Sequence, residues 1–286
     1  MRLLYAAALA AMLSASADAA PIRLEGGHYV TQLQVNGGDA FDFVIDTAAS
    51  ASAFSPGFVE RLGLQPVPGM TAHVHGAAGI ETVPLYRLDR LSGPDLELTS
   101  VIAAVMPGVA SDRPTAGVLG VNTFQQSRIV FDFEAMTFET GASGAGAQGF
   151  QALAATRLRA GLVAVDVQVN GVPVKAVVDT GARRTIGNPA LMAALGVSAD
   201  DSRLAPAPDV GGATSHRIPS QVMEGATVAL GGRDFGDLRL HFSDLPVFRA
   251  LGAGDQPMLI LGTDVWSQLS ALAIDYPRNE VQVRFR

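Results

Sequence analysis

The chain has 286 residues, a formal net charge of −7 and no cysteine. The acidic balance argues against a nucleic-acid partner, because phosphate binding needs clustered Lys and Arg. The lack of cysteine excludes disulfides, thiolate nucleophiles and Cys-ligated zinc. Charged residues are only 16% of the chain, while Gly (31) and Pro (16) are abundant. That predicts a β-rich chain rich in turns, long enough for one large core or two medium ones.

The chain begins with Arg2, an apolar run over residues 3–13, and the small-residue triplet Ala17-Asp18-Ala19. This pattern reads as a cleaved secretory signal over residues 1–19. The run is too short to span a bilayer as a helix, which needs about 20 apolar residues. Charges and prolines interrupt every later apolar stretch. The mature chain is therefore expected in the periplasm or secreted, without stable membrane insertion.

Next the chain repeats itself. Gln34-Val35-Asn36-Gly37 returns as Gln168-Val169-Asn170-Gly171. Phe43-Val44-Ile45-Asp46-Thr47-Ala48-Ala49 returns as Ala176-Val177-Val178-Asp179-Thr180-Gly181-Ala182. Val118-Leu119-Gly120-Val121 matches Ile260-Leu261-Gly262-Thr263, and Ile129-Val130-Phe131-Asp132-Phe133 matches Leu272-Ala273-Ile274-Asp275-Tyr276. The order is kept throughout, so a whole lobe is duplicated and no short solenoid unit is involved.

Each copy predicts the same local elements. Residues 29–35 and 162–169 read as half-buried strands. Asn36-Gly37-Gly38 and Asn170-Gly171 supply residues that tolerate positive φ in tight hairpin turns. Return strands over 41–45 and 174–178 run into Asp-Thr. Residues 56–62 and 189–195 read as short helices, opened by proline and ended by Gly63 and Gly196. Further turns fall at residues 76–79, Gly93-Pro94, Gly211-Gly212 and Gly231-Gly232. The stretch 140–149 (TGASGAGAQG) is small and uncharged, which sets a linker at 141–150. The expected division is then a lobe over 20–140, the linker, and a lobe over 151–286.

The two Asp-Thr loops, each followed by a short helix, a Gly-rich hairpin and Leu-Gly before a final strand, resemble the aspartic peptidases. The closest likeness is to bacterial retropepsin-like aspartyl proteases with two copies fused in one chain. The resemblance covers the whole mature chain. It implies an all-β, two-lobed acid-protease fold of pepsin-like or retropepsin-like β-barrels, with pseudo-twofold symmetry and a few short helices. It also implies an endopeptidase acting on peptide or protein substrates as a monomer, without cofactor or metal.

The chemistry explains why two copies are useful. Two carboxylates about 3 Å apart cannot both ionise, so they share one proton. The ionised member activates water and the protonated member polarises the substrate carbonyl. Asp46 and Asp179 are the expected catalytic pair. By resemblance, Thr47 and Thr180 bond across the axis and Gly181 allows close backbone approach. Gly120 and Gly262 support the loops. The Gly-rich segments at 75–80 (with Gly76 and Gly79) and 210–215 (with Gly211 and Gly212) act as flaps over the substrate.

Two departures stand out. Ala48 replaces the family's glycine, which costs about 1 kcal/mol if the position has positive φ. Arg183 and Arg184 follow Asp179 closely, and a guanidinium reaching its carboxylate would lower the pKa and oppose proton sharing. Both motivate an alternative: a catalytically impaired peptide-binding protein on the same fold. His73 and His75 share a strand face but lack a third ligand nearby. His28, His216 and His241 read as isolated structural residues, Trp266 as a packing residue, and Asp132 and Asp275 as turn-forming acids.

Overall fold

The computed structural model describes residues 19–109, 115–145 and 148–286. The expected signal segment falls outside these, apart from Ala19. Strand content is 54% against 11% helix, and two closed six-stranded barrels make up the two lobes. The all-β, two-lobed expectation therefore holds.

Both lobes begin with the predicted hairpin. His28–Val35 pairs with Ala40–Ile45, and Val163–Val169 with Val172–Val178, each antiparallel. The turns work as anticipated: Asn36 and Gly37 have φ of 50° and 74°, Asn170 and Gly171 of 46° and 82°. Each return strand then takes a parallel partner. Ile45 lies opposite Leu119, and Val178 opposite Leu261. This pairing delivers the end of each return strand to the Leu-Gly segment of the same lobe. Contacts of Val35 with Leu91, and of Val169 with Val228, close the barrels.

The short helices Pro56–Arg61 and Pro189–Ala194 each turn an apolar face to the core, through Phe58 and Val59 in the first and Leu191 in the second. Ser55 Oγ accepts from Phe58 N–H, and Asn188 Oδ1 from Leu191 N–H. Such N-caps contribute about 1 kcal/mol each. Phe58 is buried against Phe41, Phe43 and Phe54, with ring centroids 5.1–5.7 Å apart. Truncating a buried Phe of this kind costs about 3–5 kcal/mol.

A third, six-stranded antiparallel layer joins the lobes. Its order is Gln151–Leu153, Glu280–Phe285, Leu269–Asp275, Arg128–Asp132, Thr137–Gly141, Ala20–Glu25. At its centre Val130 lies directly opposite Ala273. These two are also repeat equivalents, so the pseudo-twofold axis passes between them. Their neighbours obey the same operator, with Phe131 opposite Leu272 and Ile129 opposite Ile274.

Several isolated residues fall where the repeat reading put them. Trp266 is fully buried in the helix Thr263–Trp266 and donates to Leu261 O at 2.6 Å. Asp132 accepts from Glu134 and Ala135 N–H, as a turn-former does. Asp275 accepts from Ser143 Oγ and Gly144 N–H, tying down the start of the segment between the lobes. His216 is not an isolated structural residue. Its ring packs against Gly79 of the other lobe, where a Cβ would stand 2.7 Å from it.

Candidate active site

Asp46 and Asp179 each sit one residue past a return strand. Their N–H groups bond Leu119 O at 3.0 Å and Leu261 O at 3.2 Å. Each chain then turns back on its own carboxylate. Asp46 Oδ1 accepts from Ala48 and Ala49 N–H, both at 2.9 Å. Asp179 Oδ1 accepts from Gly181 and Ala182 N–H, both at 2.8 Å. One oxygen of each carboxyl is thereby fixed by its own loop.

The loops are locked to each other through the threonines. Thr47 Oγ1 donates to Val178 O at 2.7 Å and accepts from Thr180 N–H at 3.0 Å. Thr180 Oγ1 donates to Ile45 O at 2.6 Å and accepts from Thr47 N–H at 3.2 Å. Both threonines are buried. This reciprocal set brings together the residues that the repeat alignment paired.

Asp46 and Asp179 keep only partial exposure. Burial pushes the Asp46 carboxyl above the ordinary carboxylate range, against the opposing pull of its loop N–H bonds. Burial also pushes Asp179 well up, and the neighbouring Asp46 charge pushes it further. Two buried carboxyls that feel each other retain a proton that an isolated aspartate would lose.

The departures in the loops prove local. Ala48 does not adopt positive φ, so its methyl carries no left-handed strain. It packs on an apolar cluster of the second lobe that includes Val177, Ile186 and Ile260. Gly181 has no such room: a Cβ there would stand 2.6 Å from Asp46 Oδ1. The Arg183 side chain runs along Gly27, with Cδ 2.9 Å from where a Cβ on Gly27 would be. Arg184 acts on His241, which burial and then this cation push down to about 4.

Sequence reasoning missed the layer beneath the loops. Ser52 N–H and Oγ bond Asn122 Oδ1 at 2.8 and 3.1 Å, and Gly120 N–H bonds Ser52 Oγ at 3.0 Å. In the second lobe Thr185 N–H and Oγ1 bond the Asp264 carboxylate at 2.9 and 2.7 Å, and Gly262 N–H bonds Thr185 Oγ1 at 3.2 Å. The signal was present. Ser52 and Thr185 each stand six residues past the aspartate, and Asn122 and Asp264 two past the glycine. Gly120 and Gly262 leave no space for a side chain, since a Cβ would meet Ala51 C at 2.6 Å or Arg184 C at 2.7 Å.

The Gly-rich segments form hairpin tips. Pro66–Gly76 and Gly79–Gly93 make the first hairpin, Leu204–Val210 and Ile218–Leu230 the second. Each tip crosses to the other lobe. Val247 N–H bonds Ala77 O at 3.4 Å, and Gly108 N–H bonds Ala213 O at 3.1 Å. Ala77 of the first tip, Val210 and Ile218 of the second hairpin, and Ala48 and Ala182 of the Asp loops all pack on one apolar cluster. The hairpins thus close down beside the aspartate loops. Gly76, Gly79, Gly211 and Gly212 all lie at or beside this seam. Two surface recesses of about 310 and 370 Å³ flank Gln34 and Gln168 on the outer faces, away from the aspartates.

Among the described residues no group of three or more His, Cys, Asp or Glu is placed to hold a metal. His73 Nδ1 is instead 2.9 Å from Thr82 Oγ1. No helix among them is long and apolar enough to cross a membrane.

A two-barrel fold with paired Asp-Thr loops cross-bonded at the lobe interface defines the aspartic peptidase class. Comparison with protein families agrees: the aspartyl protease model matches residues 31–123 and 165–265, one segment per lobe. The chain belongs to the aspartyl protease family, whose substrates are peptides. A search of curated proteins returned no match.

Proposed function

We propose that the chain is an aspartic endopeptidase in which Asp46 and Asp179 share one proton and activate a water. The observation that carries this reading is the reciprocal Thr47–Thr180 bonding, which holds two partly buried carboxyls of raised pKa beside each other. The ionised member takes a proton from water as its oxygen attacks the scissile carbonyl carbon. The protonated member hydrogen-bonds the carbonyl oxygen and stabilises the negative charge developing there. Collapse of the tetrahedral intermediate breaks the C–N bond as the aspartate that took the water's proton delivers it to the amine nitrogen, leaving the pair again with one shared proton. Substrate lies extended between the hairpin tips and the aspartates, adding backbone hydrogen bonds as a strand does. Thr47, Ala48, Thr180 and Gly181 hold the pair, and Gly76, Gly79, Gly211 and Gly212 belong to the cover.

The duplicated lobe supplies both aspartates, so a monomer over residues 20–286 is the working unit. The leader at 1–19 directs it to the periplasm or outside the cell. Light scattering and N-terminal sequencing of the exported protein test these points. The activity is tested by incubating the mature protein with denatured protein between about pH 3 and 7. Cleavage lost in both Asp46→Asn and Asp179→Asn supports the dyad. Peptide binding without turnover at any pH would instead favour a binding protein, the reading that Ala48 and the Arg183-Arg184 pair motivate.

A further inference from the structure

The two hairpin tips are joined by a side-chain contact at the solvent edge. Glu81, on the first hairpin, accepts from Ser215 N–H at 2.9 Å and from Ser215 Oγ at 3.0 Å through the same Oε2. Ser215 is exposed on the tip of the second hairpin. Beside it the seam is tight. A Cβ on Gly76 would meet Thr214 Oγ1 at 3.0 Å, and a Cβ on Gly79 would meet the His216 ring. Arg217 Nη2 reaches across to Gly108 O at 3.1 Å.

Thr214 is fully buried, and its Oγ1 has no hydrogen-bond partner among the described residues. The two bonds to the Glu81 carboxylate are charge-assisted and hold the two tips together. Their position at the solvent edge lets them break without unfolding either barrel.

We infer that Glu81 is a positioning residue that latches the tip of the second hairpin to the first, setting how far the cover closes over the aspartates. Glu81 does not touch the reacting atoms. It acts through Ser215, and through Ser215 on the placement of Thr214 and Gly212 at the seam. The role rests on the peptidase reading only for its consequence in turnover. The latch itself is a statement about two hairpins.

The absence of cysteine makes the test clean. Thr71→Cys and Asp209→Cys, both exposed on the hairpin strands, place two spin labels on the full mature chain. The distance distribution between them reads closure without any need for activity. The expected result is a narrow distribution for the otherwise native chain and a broad, longer one for Glu81→Ala. Glu81→Gln keeps an acceptor oxygen and is expected to restore the narrow distribution. Ser215→Ala removes one of the two bonds and gives intermediate broadening, which keeps the test open if Glu81→Ala folds poorly. On a peptide substrate, kcat of Glu81→Ala drops about tenfold while Glu81→Gln stays within about twofold. An unchanged distribution in Glu81→Ala, or one in Glu81→Gln as broad as in Glu81→Ala, overturns the latch. A chain that shows the latch but cleaves nothing overturns the peptidase reading and leaves the latch standing.

Discussion

Gly181 of the second lobe lies against the carboxylate of Asp46 in the first, so closely that a Cβ would stand 2.6 Å from Oδ1. The equivalent position in the first lobe already carries a methyl, that of Ala48, seated on second-lobe aliphatic residues. The two loops are therefore equivalent in their hydrogen bonds and unequal in their free space. Gly181→Ala is expected to displace Asp46, lowering kcat/KM by 100-fold or more, on the order of 3 kcal/mol. Ala48→Gly is expected to keep activity and to cost about 0.4–1 kcal/mol of stability through added unfolded-state entropy. Steady-state kinetics and urea unfolding of the two variants read both outcomes. Equal effects from the two substitutions would refute the inequality.

The pH dependence of stability follows from the same pair. The folded pKa of Asp179 lies above its unfolded value, chiefly through burial and then through Asp46. A raised pKa contributes stability that is fully present below the unfolded value of about 3.9 and is lost as pH rises through the folded value. Asp179→Asn keeps an oxygen for Gly181 and Ala182 N–H and removes the charge. It is expected to be more stable than the native chain at pH 7, by on the order of 1–2 kcal/mol, and no more stable near pH 3.5. Urea midpoints at the two pH values decide this. A gap that widens toward acid has the wrong sign.

The threonine lock predicts a shared loss. Thr180→Val removes a donor to Ile45 O and an acceptor for Thr47 N–H, leaving two buried backbone groups without partners. The cost expected is about 2–6 kcal/mol, since each of the two orphaned groups costs about 1–3 kcal/mol. Thr47→Val should cost a similar amount, because its bonds to Val178 O and Thr180 N–H mirror the first set. The double variant is expected to lose less than the sum, as residues of one network do. Strict additivity in a double-mutant cycle would show that the two hydroxyls act independently.

The pair and its loops were legible because the signal is local and appears twice. Asp46 and Asp179 stand in matched strings, and duplication of a lobe implies a twofold relation between them. The central sheet gives that axis a place, between Val130 and Ala273. The fate of Ala48 was not legible, because φ and the free space at that position depend on the opposing lobe. Nor were the directions of Arg183 and Arg184, which turn on Gly27 and His241, residues far away in sequence. The Glu81–Ser215 contact was not legible either, because it depends on how the tips of two hairpins of different length meet.

The support layer beneath the loops yields the last prediction, which rests on a difference between the lobes. Asn122 accepts from both groups of Ser52 with a single amide oxygen. Asp264 uses both carboxylate oxygens for the same two groups of Thr185. The first lobe thus shows that an amide suffices for this geometry. Burial pushes the Asp264 carboxyl above its ordinary range, with the Thr185 bonds opposing, so its charge at neutral pH is a cost to the folded state. Asp264→Asn removes the charge and keeps an acceptor, and its stability at pH 7 is expected within about 1 kcal/mol of the native chain. Asp264→Ala leaves Thr185 N–H and Oγ1 without an acceptor and is expected to lose about 2–4 kcal/mol. It should also loosen Gly262, whose N–H bonds Thr185 Oγ1, and so lower kcat through Asp179. Urea unfolding separates the variants. If Asp264→Asn is as damaged as Asp264→Ala, the charge itself holds the loop and the lobes differ in kind.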